Sequence, residues 1–448
     1  MPSQYEARLR HAQHYMQIAD RSSSLYNEGG EQVMAGLNLF DQERTQIDCG
    51  WDWARQQAST GDDMIDHLLV EYADITVYIG ELRYHARLER IPQLEAQLAA
   101  ARRLGYTSIE GNALGNLGLA YARIGNIHQA VTCHEQRLAI ARQLGDQRGE
   151  GNALGNLGLA YYALGKTQEA IDHYNQALSI AQQTDDPRSA AIAFGNLGLA
   201  YTAMGQVRQG IAYQKQALRI VRELGHRTME GSTVGNIGLA YQRIGDPARA
   251  VPYHEQHLTI ARELGDQRGE GLALGNLGNA YASLGETQRA LEAYAQQLVI
   301  MQNSGNRSGE SIALNNMGLA YHQLNNLSQA ITCHEQALLI NRDIGNRRAE
   351  GKNLNNLANV YAELGETEKA ITYYEQRLAV AQEIGDQSGA MITRWNLGDE
   401  LVKQGHLEQG ITFMQSYVAY LREMGYRHTD QYAAYVEDLQ QQLQTGRP

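Results

Sequence analysis

GNALGNLGLAYARIG (Gly111–Gly125), GNALGNLGLAYYALG (Gly151–Gly165) and GLALGNLGNAYASLG (Gly271–Gly285) are one phrase recurring at multiples of 40 residues. A second phrase follows the first, as in HQAVTCHEQRLAIARQLG (His128–Gly145) and SQAITCHEQALLINRDIG (Ser328–Gly345). From Gly111 to about Asp430 the 40-residue period runs eight times without insertion or deletion. A period of this length marks a solenoid of stacked supersecondary units, none of which can bury its apolar face alone.

Within the first repeat, Leu114, Leu117, Ala120, Tyr121 and Ile124 fall three or four apart, which predicts a helix A with one buried stripe. Gly125 and Asn126 end it. Ala130, Val131, Leu138, Ile140, Ala141 and Leu144 predict a helix B that stops at Gly145, where a left-handed glycine cap belongs. Helix B is expected to be the longer, with the DQRGE stretch (from Asp146 and again from Asp266) as the turn into the next repeat. Short connections make the two helices antiparallel neighbours.

Leu117, Gly118, Tyr121 and Ala130 match the L-G-x2-Y and later Ala of the tetratricopeptide repeat, and Ala177-Leu178 and Ala217-Leu218 fit its helix B signature. The usual unit has about 34 residues; the longer form here, with HEQRLAIARQLGD and NLGLAY, resembles the repeats of Pins/LGN-type spindle-orientation adaptors and of kinesin light chains. The resemblance implies an all-α, right-handed superhelical solenoid of antiparallel helix pairs with a peptide-binding concave groove lined by the A helices. The stretches RLRHAQHYMQIAD (from Arg8) and TQIDCGWDWARQQASTGD (from Thr45) resemble the segment leading into the repeat sensors of bacterial STAND-class ATPases. No G-x4-G-K-[ST] loop accompanies them, so the likeness implies the sensor part and no ATP hydrolysis.

The expected organisation is an N-terminal helical region (1–61), a degenerate repeat (62–110), eight repeats (111–430) and a C-terminal capping helix and tail (431–448), together a free-standing protein. The net charge of -12 and the absence of a basic face argue against nucleic acid as a partner; residues 1–110 carry 17 acidic against 10 basic side chains. Three cysteines without paired spacing, no apolar leader and no long apolar run predict a cytoplasmic chain that does not engage a membrane.

Asparagine occupies one helix A position in all eight repeats: Asn116, Asn156, Asn196, Asn236, Asn276, Asn316, Asn356 and Asn396. The resemblance places it on the groove, where a carboxamide, donor and acceptor at once, pairs with the backbone of a bound peptide. The alternative is that each asparagine bonds within the solenoid. Gly115, Gly155, Gly195, Gly235 and Gly275 precede it in the first five repeats, each costing its helix up to about 1 kcal/mol, so something must approach closely there. Gly118 and its equivalents are expected where helices A and B touch.

Specificity is expected from groove positions that vary among repeats: Arg123, Tyr162, Gln242, Arg243, Asn279, His322, Lys352 and Asn359. Arg123 and Arg243 suit the carboxylates of an acidic peptide, and Leu119, Leu159, Leu199 and Leu239 supply apolar area. Thr132-Cys133-His134-Glu135 and its copy at Thr332–Glu335 place a thiol, an imidazole and a carboxylate side by side, but helix neighbours point apart, so these read as packing. Neither a catalytic or metal site nor a cofactor is expected. The function predicted is a non-enzymatic scaffold holding an extended or helical segment of another protein. Two alternatives stay open: a sensor subunit that binds a small molecule or an ATPase partner, and a homo-oligomeric array.

Overall fold

The computed structural model describes residues 3–30, 32–58 and 60–445, and these form α-helices and one π-helical turn, with no strand among the described residues. The chain divides into two compact units, Met1–His226 and Arg227–Pro448, with the boundary between the third and fourth repeats.

The amino-terminal unit opens with α1 (Gln4–Glu28) and α2 (Gln32–Gln57). They approach closely where Gly36 lets Ser22 Oγ donate to its carbonyl at 2.6 Å. Helix α3 (Asp63–Ile75) joins them through Tyr72, whose hydroxyl donates to Ala12 O at 2.7 Å. It pairs with α5 (Ile91–Leu104), but α4 (Val77–Arg83) and a π-helical turn (Ala86–Arg90) intervene where the later repeats have only a tight turn.

Three regular pairs complete the unit: α6 (Thr107–Arg123) with α7 (Ile127–Leu144), α8 (Gln147–Ala163) with α9 (Thr167–Gln183), and α10 (Pro187–Ala203) with α11 (Val207–Glu223). Within the carboxy-terminal unit the pairs are α12 (Arg227–Arg243) with α13 (Pro247–Leu264), α14 (Gln267–Ser283) with α15 (Thr287–Asn303), and α16 (Arg307–Gln323) with α17 (Leu327–Asp343). Helices α18 (Arg347–Glu363) with α19 (Thr367–Glu383) and α20 (Gln387–Lys403) with α21 (Leu407–Glu423) follow. Last comes α22 (Thr429–Thr445), which lays Ala433, Val436 and Leu439 on Ile411, Met414 and Val418. Of the capping helix and tail expected over 431–448, residues 446–448 lie outside the described residues.

The stripe reading holds for Leu114, Leu117 and Ala120 on helix A and for Ala130, Leu138 and Ala141 on helix B, all buried. Ile124 and Leu144, placed on those stripes by spacing, are exposed. Each sits at a helix end, where the chain leaves the interface. The relative helix lengths also differ from expectation. DQRGE is no linker: Asp146 caps α8 by accepting from Gly149 N at 2.9 Å, and Gln147 to Glu150 form its first turn. Helices A and B are therefore of nearly equal length, 17 residues in α6 against 18 in α7.

Recurring polar letters join the repeats. Tyr121 donates to Glu95 (2.7 Å) and Tyr281 to Glu255 (3.1 Å), each reaching back to the preceding helix B. Arg142 pairs with Glu150 and Arg262 with Glu270, at 2.8 and 2.7 Å, across the turn into the next helix A. Exposed pairs of this kind are individually weak, but they repeat with the fold.

Candidate peptide-binding groove

Helix A of each repeat presents the ladder asparagine half-buried. In the amino-terminal unit Asn116, Asn156 and Asn196 line one cavity of about 420 Å³, shared by α6, α8 and α10 with side chains of α7 and α9. Among the described residues, their carboxamides make no hydrogen bond to the protein. The same holds for Asn236 and Asn276 in the carboxy-terminal unit.

The last three asparagines are engaged instead. Asn356 donates to Asn315 Oδ1 at 3.0 Å, Asn315 reaches Asn316 Oδ1 at 3.5 Å, and Asn396 hydrogen-bonds Tyr374. Asn315 belongs to a buried amide chain: Ser311 donates to Asn341 (2.9 Å), Asn341 to Asn353 (2.7 Å) and Asn353 to Asn315 (3.0 Å). One sequence position thus has two fates.

The variable positions divide in the same way. Asn279 Oδ1 accepts from Tyr294 at 2.8 Å, and Asn359 Oδ1 from Tyr374 at 2.7 Å. Gln242 donates to Asn276 O and faces His254 Nε2, both at 3.1 Å. His322 meets Glu363 at 2.5 Å. Arg123 is paired with Glu81, which also lies 3.4 Å from the buried Arg90. Tyr162, Arg243 and Lys352 are exposed.

One row of groove residues escaped the sequence reading. Four residues before each ladder asparagine, Asn112, Asn152, Ile192, Ser232, Leu272, Ile312, Lys352 and Ile392 are all exposed, and this spacing puts them on the asparagine's own face. Only Lys352 was anticipated. Had helix A been read from the aspartate cap, this row would have fallen in its second turn and been legible.

Charge in the amino-terminal cavity centres on Arg137 of α7. Its guanidinium lies across Gly115 and donates to two neutral oxygens, Gly111 O at 2.6 Å and Asn112 Oδ1 at 3.0 Å. Burial lowers its pKa, and Asp146 offsets this in part without forming an ion pair. Arg377, at the same position six repeats on, is paired with Asp386. Asp74 and Val77 from α3 and α4 also line the cavity; Asp74 takes a 2.6 Å hydrogen bond from Gln97, while burial raises its pKa.

Glycines separate into two kinds. A Cβ at Gly118, Gly238 or Gly318 would fall on the ring of His134, His254 or His334 of the partner helix B, and one at Gly158 or Gly278 on Tyr174 or Tyr294. This is the expected helix contact, and it accounts for the histidine of the Thr-Cys-His-Glu motif. Cys133 and His134 are buried while Thr132 and Glu135 are exposed. Burial pushes the pKa of His134, His254 and His334 down to about 4. The glycines before the ladder asparagine are mixed. Gly115, Gly235 and Gly275 accommodate Arg137, His257 and Gln297 from helix B, whereas Gly155 and Gly195 have nothing within 4 Å of a built Cβ.

No curated protein matches the sequence. Among solved structures, the STAND protein with a tetratricopeptide repeat sensor from Pyrococcus horikoshii is similar over 95% of this chain and 64% of its own, at 15% identity and a TM-score of 0.63. The apo quorum sensor NprR from B. thuringiensis is similar over 78% of this chain and 99% of its own, at 16% identity and a TM-score of 0.53. BtubC from P. vanneervenii shares 22% identity over 49% of this chain and 92% of its own, with a TM-score of 0.46. The first two likenesses show the fold. The family model described as Tetratricopeptide repeat matches residues 92–183, 189–263, 269–343 and 350–423, well over half of the chain, which therefore belongs to the tetratricopeptide-repeat family.

Proposed function

We propose that this chain is a protein-interaction scaffold whose amino-terminal unit holds an extended peptide segment along the cavity of α6, α8 and α10. One observation carries the reading: Asn116, Asn156 and Asn196 line a single cavity at equivalent positions in successive repeats, with no hydrogen bond to the protein among the described residues. A carboxamide presents one donor and one acceptor to a peptide group whatever its side chain, so a periodic row of them suits a periodic backbone. Helix interiors disfavour asparagine, and at these three positions no hydrogen bond to the described residues offsets the cost.

Arg137 adds the chemistry of the occupant. A half-buried guanidinium satisfied only by neutral oxygens favours a carboxylate, so the segment carries an acidic residue there, with apolar side chains over the exposed Leu119 and Leu159. Panning the full chain against a random twelve-residue display library tests this. Wild type should enrich related sequences with an acidic position, and a variant with Asn116, Asn156 and Asn196 changed to Ala should fold with an equal or higher melting temperature and retain none of them. Retention by that variant, or its unfolding, would assign the asparagines to architecture.

A sensor reading has one observation in its favour: the cavity volume falls within the roughly 300–1,000 Å³ typical of small-molecule sites. Failure to enrich any peptide, together with a saturable thermal shift from a metabolite panel, would favour it.

A further inference from the structure

At one position of helix B the first seven repeats carry ring or amide side chains, the first six of them packed over a glycine of the facing helix A and the seventh facing Ala358. Three of these are tyrosines: Tyr174, Tyr294 and Tyr374. Tyr294 and Tyr374 satisfy their hydroxyls on Asn279 and Asn359. The position equivalent to those asparagines is Leu159 in the repeat of Tyr174. Tyr174 is 2% exposed, its hydroxyl has no hydrogen-bond partner among the described residues, and it contributes to the lining of the amino-terminal cavity. The ring is buried but the hydroxyl keeps contact with the cavity, so it stands there as a donor available to an occupant. Burial raises its pKa well above that of a free phenol, so at neutral pH it is a donor.

A second anomaly borders the same cavity. Gly155 lines it, with nothing within 4 Å of a built Cβ; Gly195 is equally open but does not line the cavity, and the equivalent Gly115, Gly235 and Gly275 each make room for a long helix B side chain. Opposite Gly155, helix B carries Ala177, which also lines the cavity. The helix therefore bears the cost of a glycine with no side chain of the protein to justify it.

We propose that Tyr174 and Gly155 form a main-chain subsite within this cavity: the Tyr174 hydroxyl donates to a carbonyl oxygen of the bound peptide, whose backbone passes over the bare Cα of Gly155 beside the Asn156 carboxamide. The inference rests on the peptide-groove reading and gives it a register, since the second repeat is where the ligand backbone comes closest. Leu159, the residue type most repeats carry at this position, leaves the hydroxyl unclaimed. An asparagine there would claim the hydroxyl internally, as Asn279 claims that of Tyr294.

The test uses a peptide enriched by wild-type panning, synthesised and titrated calorimetrically into the full chain and four variants, the triple asparagine variant among them. Tyr174→Phe keeps the ring over Gly158 and should weaken binding about five- to tenfold without lowering the melting temperature. Gly155→Ala should raise the melting temperature and still weaken binding, a combination no purely architectural role produces. Tyr294→Phe, the control, should lower the melting temperature and leave affinity unchanged. If Tyr174→Phe and Gly155→Ala bind like wild type while the triple asparagine variant does not, the subsite is wrong and the groove reading stands. If panning enriches no peptide, both fall together.

Discussion

The hydroxyl of Tyr294 on α15 donates to Asn279 Oδ1 on α14 at 2.8 Å, joining the two helices of one repeat through a side-chain pair 15 residues apart in sequence. Asn279→Leu reproduces the leucine found at this position in most repeats but strands a tyrosine hydroxyl that burial has desolvated. Urea unfolding should show a loss of roughly 1–2 kcal/mol, and equal stability would mean that the bond has no net worth.

Gly118 and Gly155 should respond to alanine in opposite directions. At Gly118 the new methyl meets the buried His134 ring, and overpacking of about 1–3 kcal/mol outweighs the helix-propensity gain. At Gly155 the methyl meets nothing within 4 Å, so the propensity gain of up to about 1 kcal/mol remains. Paired thermal melts check this, and a destabilised Gly155→Ala would contradict the open space described at that position.

Acid should loosen both units between about pH 6.5 and 4. His134, His254 and His334 are neutral in the folded chain, with pKa values depressed to about 4, chiefly by burial; Arg137, His257 and His322 add smaller like-charge contributions. The unfolded chain takes up these protons from about pH 6.5 downward. Their neutral burial thus has its full effect above that pH and is lost as pH falls toward the folded value, because the unfolded state binds the extra protons. The loss between pH 7 and 5 should be on the order of 1–2 kcal/mol per histidine. Replacing His254 with Gln, the residue type at the equivalent position 214, should flatten the stability profile, and an unchanged slope would count against burial as its cause.

Glu81 holds two arginines, the 1%-exposed Arg90 of the π-helical turn and Arg123 at the end of α6. Glu81→Ala leaves the Arg90 charge buried, with Thr76 and Gln93 as its neutral acceptors. A stability loss of about 3 kcal/mol is expected, and Glu81→Gln should recover part of it. Differential scanning calorimetry would register the change as a lowered transition of the full chain.

Much of the architecture was legible because a repeat states its packing problem eight times. Leu114, Leu117, Ala130 and Ala141 were placed in the core from spacing alone, and Gly118 was placed correctly between helices. The helix A start was missed because DQRGE reads as a polar turn until Asp146 is recognised as a cap. That error concealed the row from Asn112 to Ile392. Arg137 was overlooked for a different reason: it belongs to helix B, and only the missing side chain of Gly115 lets it cross into the groove.

The sequence by itself determined the helical-repeat fold, the period, the positions of the ladder asparagines and the glycines on which helix B rests, since all of these follow from spacing along one chain. Tertiary structure alone decided which of those groups remain unengaged. Asn116, Asn156 and Asn196 share their repeat position with Asn316 and Asn356, yet only the latter meet Asn315. Tyr174 reads like Tyr294, yet only Tyr294 has an asparagine within reach. Whether a polar group is satisfied depends on what a neighbouring helix brings to within about 3 Å, a relation between helices that the letter at a single position does not carry.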